Sequence, residues 1–99
     1  MNTKNNLPAV HPGEFLKEIL DDLGISQSEF ARTIGLSPMR ISHVIKGKRP
    51  VNAEMALLFG KAFGQSPQYW INLQMAYDLK TAEKRISRRL AGIHALSHA

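Results

Sequence analysis

At 99 residues, 43% of them hydrophobic, the chain can build one compact domain with a modest core and has little room for a second. It has no cysteine, which excludes disulfides, thiolate nucleophiles and cysteine-ligated zinc and favours a reducing, cytoplasmic setting; no apolar run reaches the roughly 20 residues needed to span a bilayer. The formal charge of +5 favours an anionic partner.

Residues 1–10, MNTKNNLPAV, lack the apolar core of a signal peptide and read as a flexible N-terminal arm. From His11 onward the signals are nearly all helical, because apolar residues recur three and four apart and no stretch alternates over strand length. His11-Pro12-Gly13 leads into a first helix with Phe15, Ile19 and Leu23 in one row and Leu16 and Leu20 in the next, closed by Gly24 as a left-handed cap. Asp21 and Asp22 stand at its C-terminal end, where the helix dipole disfavours acids, and read as solvated surface or as contacts for a basic protein. Ser26 caps a second helix in a capping box with Glu29; Phe30, Ala31 and Ile34 form its inner side, and Gly35 stops it. Ser37 caps the third helix, Pro38 takes the first turn where its missing N–H costs nothing, and Gly47 ends it after Lys46.

Asn52 caps a fourth helix carrying Met55, Leu58, Ala62 and Phe63, interrupted by Gly60 at a local cost of about 1 kcal/mol. Ser66-Pro67 opens a fifth, with Trp70, Leu73 and Tyr77 on one side. Ile86, Leu90 and Ile93 extend its apolar row past Leu79, beside Lys84, Arg85, Arg88 and Arg89, toward an end at Gly92. The expected fold is all-α: a five-helix domain over residues 11–79, then a basic helical extension and frayed tail over residues 80–99.

The second and third helices are joined by only Gly35, Leu36 and Ser37, the helix-turn-helix arrangement. Ala31 is small where two helices must cross closely, and Gly35 can take the positive φ of a sharp turn. At about 100° per residue, Ile41, Val44 and Ile45 share one arc of the third helix and Met39, Arg40, His43 and Lys46 another. One side is anchored and the other offered.

Charge follows the same division. Residues 1–79 hold 8 basic and 7 acidic residues, residues 80–99 hold 5 basic residues and Glu83 alone. Yet between Glu29 and Glu54 no acid occurs, while Arg32, Arg40, Lys46, Lys48 and Arg49 all do. A B-DNA major groove admits one α-helix between walls of phosphate, and repels a carboxylate that does not meet a cytosine amino group. Arg40 can reach guanine O6 and N7, His43 can donate or accept at a base edge, and Met39 can pack on a thymine methyl. Gln27 and Ser28 at the start of the second helix, Ser37 and Ser42 on the third, and Lys46, Lys48 and Arg49 after it suit phosphate contacts, which position without reading sequence.

A single recognition helix makes few contacts, and nonspecific affinity of roughly 10⁻⁴ to 10⁻⁶ M would not hold an operator. A homodimer is therefore expected, with recognition helices about 34 Å apart or a multiple of it. Leu73, Tyr77, Ile86 and Leu90 are the candidate dimer contacts; the competing reading makes Trp70, Leu73 and Tyr77 intramolecular core. The basic tail suits phosphate contacts, self-association or, less well for want of aromatics, a membrane surface. His94 and His98 lie one helical turn apart, but no third ligand is evident, so no metal and no cofactor are expected. An enzyme is not expected either: there is no glycine-rich phosphate loop or nucleophile elbow, and the adjacent Asp21 and Asp22 diverge by about 100° around a helix.

Three segments, HPGEFLKEIL, LGISQSEFARTIGLSPMRISHVIKGKRPVNAEMALLFGKAFG and SPQYWINLQMAYDL, resemble the HigA-type antitoxins of bacterial toxin-antitoxin modules, within the XRE or Cro/repressor-like helix-turn-helix superfamily. The likeness runs from His11 to Leu79. Its helix-turn-helix part is shared by many repressors, whereas HPGE and YWINLQ-x-x-YDL are more specific to this group. The resemblance implies a lambda-repressor-like fold and a homodimeric repressor of a palindromic operator that neutralises a co-encoded RelE-like mRNA endonuclease and autoregulates their operon. It places base reading at Pro38, Met39, Arg40 and His43. The alternatives are a free-standing regulator without a toxin, or a protein-interaction module that has lost DNA binding.

Overall fold

The computed structural model describes residues 8–97; Met1 to Leu7 of the expected arm, and His98 with Ala99, lie outside them. Helices make up the ordered elements: α1 (Pro12–Leu23), α2 (Gln27–Ile34), α3 (Pro38–Ile45), α4 (Ala53–Phe63), α5 (Pro67–Arg85) and α6 (Ser87–Ala91). Each of the first five starts on a side-chain cap. His11 Nδ1 accepts from the Gly13 N–H at 2.9 Å, and Ser26, Ser37, Asn52 and Ser66 accept in the same way at the next four. These bonds satisfy N–H groups that have no partner inside a helix.

The turn between α2 and α3 is set by Gly35, whose φ of 75° lies in the left-handed region. The Leu36 N–H then returns to the Ala31 carbonyl at 2.9 Å, which folds Leu36 back toward the core. Leu16, Leu20, Phe30, Ala31, Ile41, Val44, Val51, Met55, Ala56, Phe59 and Trp70 form that core. Phe30 stacks on Phe63 with centroids 5.0 Å apart, and Phe59 meets the Trp70 ring edge-on at 5.1 Å. Aromatic pairs in these geometries add about 0.5–1.5 kcal/mol each beyond burial.

Three particulars depart from the expected helices. In α1 the row of Leu16 and Leu20 is the buried one; Phe15 and Ile19 are half-buried and Leu23 is exposed. In α4 the inner residues are Met55, Ala56, Phe59 and Gly60, and Ala62 faces out. Gly60 is not an interruption but a contact point, since a Cβ there would lie 2.7 Å from the Gln65 carbonyl oxygen. The apolar row of the last helix is also broken. α5 continues past Leu79 as far as Arg85, Ile86 (φ −110°, ψ 22°) leaves helical geometry, and α6 is a separate short helix ending at Gly92.

Candidate nucleic-acid interface

The third helix has two faces of opposite character. Ile41 and Val44 are fully buried, and Ile45 packs half-buried beside them. On the opposite side Met39 is 66% exposed, Arg40, Ser42 and His43 are partly exposed, and Pro38 and Lys46 are open to solvent. The rotation that puts aliphatics inward therefore puts the candidate base-reading side chains outward. Ser37 starts the helix with its Oγ accepting from the Arg40 N–H at 3.2 Å.

The end of α3 gathers the cations. Gly47 turns with φ 76°, its N–H on the Val44 carbonyl at 3.0 Å. The Lys48 and Arg49 N–H groups then both donate to the His43 carbonyl, at 2.8 and 3.2 Å. This curl brings Lys46, Lys48 and Arg49 together at a helix C-terminus, where the dipole favours positive charge. Arg49 is half-buried, and its Nε is enclosed with no hydrogen-bond partner among the described residues.

The first turn of α2 supplies the remaining candidates, with Ser28 exposed and Gln27 half-exposed. Ser26 and Gln27 share a surface cleft with Ile45 and with Lys17, Leu20, Asp21 and Ile25, so the start of α2 and the end of α3 border one concavity. On its α1 side Lys17 and Asp21 pair at 2.8 Å in the open, and Asp22 is exposed.

Behind the interface stand residues that sequence reasoning did not pick out as functional. A Cβ on Gly13 would fall 1.9 Å from the Val44 carbonyl oxygen, so the start of α1 lies directly on the backbone of α3. The His11 ring meets Tyr77 of α5 edge-on, with centroids 4.9 Å apart. Burial pushes the His11 imidazole below its ordinary pKa, partly opposed by the carboxylates of Asp78 and Glu14. Gln74, buried on α5, accepts from the Val51 N–H at 2.8 Å and donates to Asp78 Oδ1 at 2.9 Å. The only signal for a functional role of His11, Gly13, Gln74 and Asp78 was the resemblance carried by HPGE and YWINLQMAYDL, whereas Tyr77 is one of the candidate dimer contacts.

Of the candidate dimer contacts, Leu73 packs half-buried on the core, Tyr77 contacts His11, Ile86 lies half-buried at the break after α5, and Leu90 is exposed on α6. Met75 and Leu79, on α5, are more exposed than any of these four. Among the described residues no cluster of three or more His, Cys, Asp or Glu side chains could hold a metal ion; His98 lies outside them. No helix among them is long and apolar enough to cross a membrane.

Residues 16–70 match the helix-turn-helix family. The chain is 43% identical over 82 residues to the virulence-associated protein I of Dichelobacter nodosus, covering 82% of this chain and 76% of that protein. A HigA-family addiction module antidote protein from Coxiella burnetii superposes with a TM-score of 0.87 at 33% identity, over 92% of this chain and 100% of that one. The Pseudomonas aeruginosa antitoxin HigA, solved with the higBA promoter, does so with a TM-score of 0.86 at 33% identity, over 90% of this chain and 99% of that one.

Proposed function

The chain belongs to the XRE-type helix-turn-helix family, with HigA-family antitoxins among its structural neighbours, and from that premise we propose that it is a cytoplasmic, sequence-specific DNA-binding repressor. It acts as the antitoxin of a two-gene module, autoregulating its operon as a homodimer and neutralising a co-encoded RelE-like mRNA endonuclease. The observation that carries the DNA reading is the outward face of α3: Met39, Arg40 and His43 above buried Ile41 and Val44, with three cations at its end and no acid between Glu29 and Glu54. A major groove admits an α-helix, and the cations on this face have the sign that its phosphates require. Support also comes from the Pseudomonas HigA, whose structure includes promoter DNA. The exposed Met75, Leu79 and Leu90 on α5 and α6 offer apolar surface for a second copy or a toxin.

Fluorescence anisotropy with a labelled duplex from upstream of the chain's own gene tests this. The wild type should bind it over a scrambled duplex, with affinity falling linearly in log–log form as salt rises. Arg40→Ala/His43→Ala should keep the circular dichroism of the fold and lose roughly 10- to 100-fold of the preference, as expected for one or two base contacts. Retained preference in the double variant would refute the assigned readout. Co-expression with the adjacent small basic open reading frame tests the antitoxin role through co-purification and recovery of growth.

A further inference from the structure

The loop that follows α3 is held from behind by α5 through the buried Gln74 side chain. The loop of residues 46–52 carries Lys46, Lys48 and Arg49 and is fastened at both ends. At its start, the His43 carbonyl receives the Lys48 and Arg49 N–H groups; at its end, the Val51 N–H is held by Gln74 Oε1 at 2.8 Å. Gln74 comes from 23 residues further along the chain and is only 7% exposed. Its amide is oriented by its other end, because Nε2 donates to Asp78 Oδ1 one turn along α5. An amide flipped the other way would set N–H against N–H at Val51 and oxygen against oxygen at Asp78, so Asp78 fixes which end faces the loop.

Next to this bond the helix itself is pinned. Gly13 lies against the Val44 carbonyl, and the His11 ring sits between Tyr77 of α5 and Gly47, where an added Cβ would lie 3.7 Å from the imidazole. The HPGE and YWINLQMAYDL segments thus meet at one place, the C-terminal end of α3 and the loop behind it.

We infer that Gln74, oriented by Asp78, is a positioning residue for DNA recognition: it holds the loop of Lys46, Lys48 and Arg49 in the register at which α3 reads bases. The inference rests on the DNA-binding reading above. Without the Gln74 bond the Val51 N–H is buried unpaired, the loop moves to satisfy it with water, and binding a specific site must draw it back. Nonspecific binding, which tolerates loose phosphate contacts, does not need that register.

The test uses the full chain, a duplex that the wild type has selected from a randomised library, and a scrambled duplex of the same composition. Gln74→Met keeps the shape without the acceptor; Gln74→Glu keeps the acceptor for Val51 but faces Asp78 with a second carboxylate. Gln74→Glu/Asp78→Asn restores a donor-acceptor pair with its polarity reversed, and Asp78→Asn alone leaves Gln74 a partner. All are compared well below their unfolding midpoints, by the ratio of selected to scrambled affinity and the salt slope on the selected duplex.

The expected result is a ratio lowered about tenfold, with a shallower salt slope, in Gln74→Met, where the Val51 N–H loses its acceptor, and in Gln74→Glu, where repulsion from the Asp78 carboxylate turns the acceptor away from the loop. The reversed pair and Asp78→Asn should return to within about twofold of wild type. A purely structural role would lower the midpoints and leave ratio and slope unchanged in the folded protein, and that outcome overturns the inference. So does failure of the reversed pair to rescue Gln74→Glu, which also decides the matter if Gln74→Met does not fold. A wild-type chain that selects no duplex would instead remove the DNA-binding reading itself.

Discussion

Substituting Gly13 by alanine sets two effects against each other at one atom. Gly13 lies in the first turn of α1, and helix propensity by itself favours alanine over glycine by about 0.8–1.0 kcal/mol in a helix interior, less near an end. The added Cβ, however, would stand 1.9 Å from the Val44 carbonyl oxygen, 2.8 Å from its carbon and 2.9 Å from the Ile45 Cα. All three are backbone atoms, so no side chain can swing aside. Reaching an ordinary separation of roughly 3.5 Å requires α1 and α3 to part by about 1.5 Å, in a region where core packing is close. Overpacking of this kind costs typically 1–3 kcal/mol, so steric overlap wins, and Gly13→Ala should destabilise by about 1–3 kcal/mol. For a chain of this length each kcal/mol lowers the midpoint by roughly 4–8 °C. Urea titration and a thermal melt measure it, with Gly92→Ala as the control, because there φ is −87° and an added Cβ would lie 3.6 Å from the Arg89 carbonyl oxygen, at ordinary van der Waals contact. The control should be neutral or slightly stabilising. Gly13→Ala unfolding at or above the wild-type midpoint would refute the close approach of α1 to α3.

Two further perturbations have worked signs. The neutral His11 ring accepts the Gly13 N–H at Nδ1, and its folded-state pKa lies below its ordinary value; its stabilising contribution should therefore be fully present above pH about 6.5 and lost as pH falls through the lowered value, measured as urea midpoints against pH with His11→Asn, which keeps a capping acceptor, flattening that dependence. Ser37→Ala removes the acceptor of the Arg40 N–H and should cost about 1 kcal/mol by urea denaturation, with Ser37→Gly costing less.

What the amino-acid order made visible was local. Ser26, Ser37, Asn52 and Ser66 act as caps because capping is decided within three residues, and Gly24 and Gly35 take left-handed φ for an equally local reason. The two faces of α3 also followed from spacing, because only one side of that helix meets the core. α4 was harder. It packs against α2 and α5 at once, so its apolar residues do not form one narrow stripe, and Phe59 and Ala56 are inside while Ala62 is out. The bond from Gln74 to Val51 has no periodic signature, since a glutamine on a helix reads as solvated until the fold places a backbone N–H beside it. The break at Ile86 is likewise unmarked by glycine or proline, and the row Ile86, Leu90 and Ile93 continues across it in sequence.

Trp70, the chain's single tryptophan, lies wholly inside, edge-on to Phe59, with its indole N–H on Gln65 Oε1 at 2.9 Å. Intrinsic tryptophan fluorescence consequently has one source, sheltered between α4 and α5, whose emission moves to longer wavelength when those helices separate. Since α3 contains no Trp, Tyr or Phe, an oligonucleotide docked there touches no other emitter, and unfolding can be followed without a dye while the nucleic acid is bound.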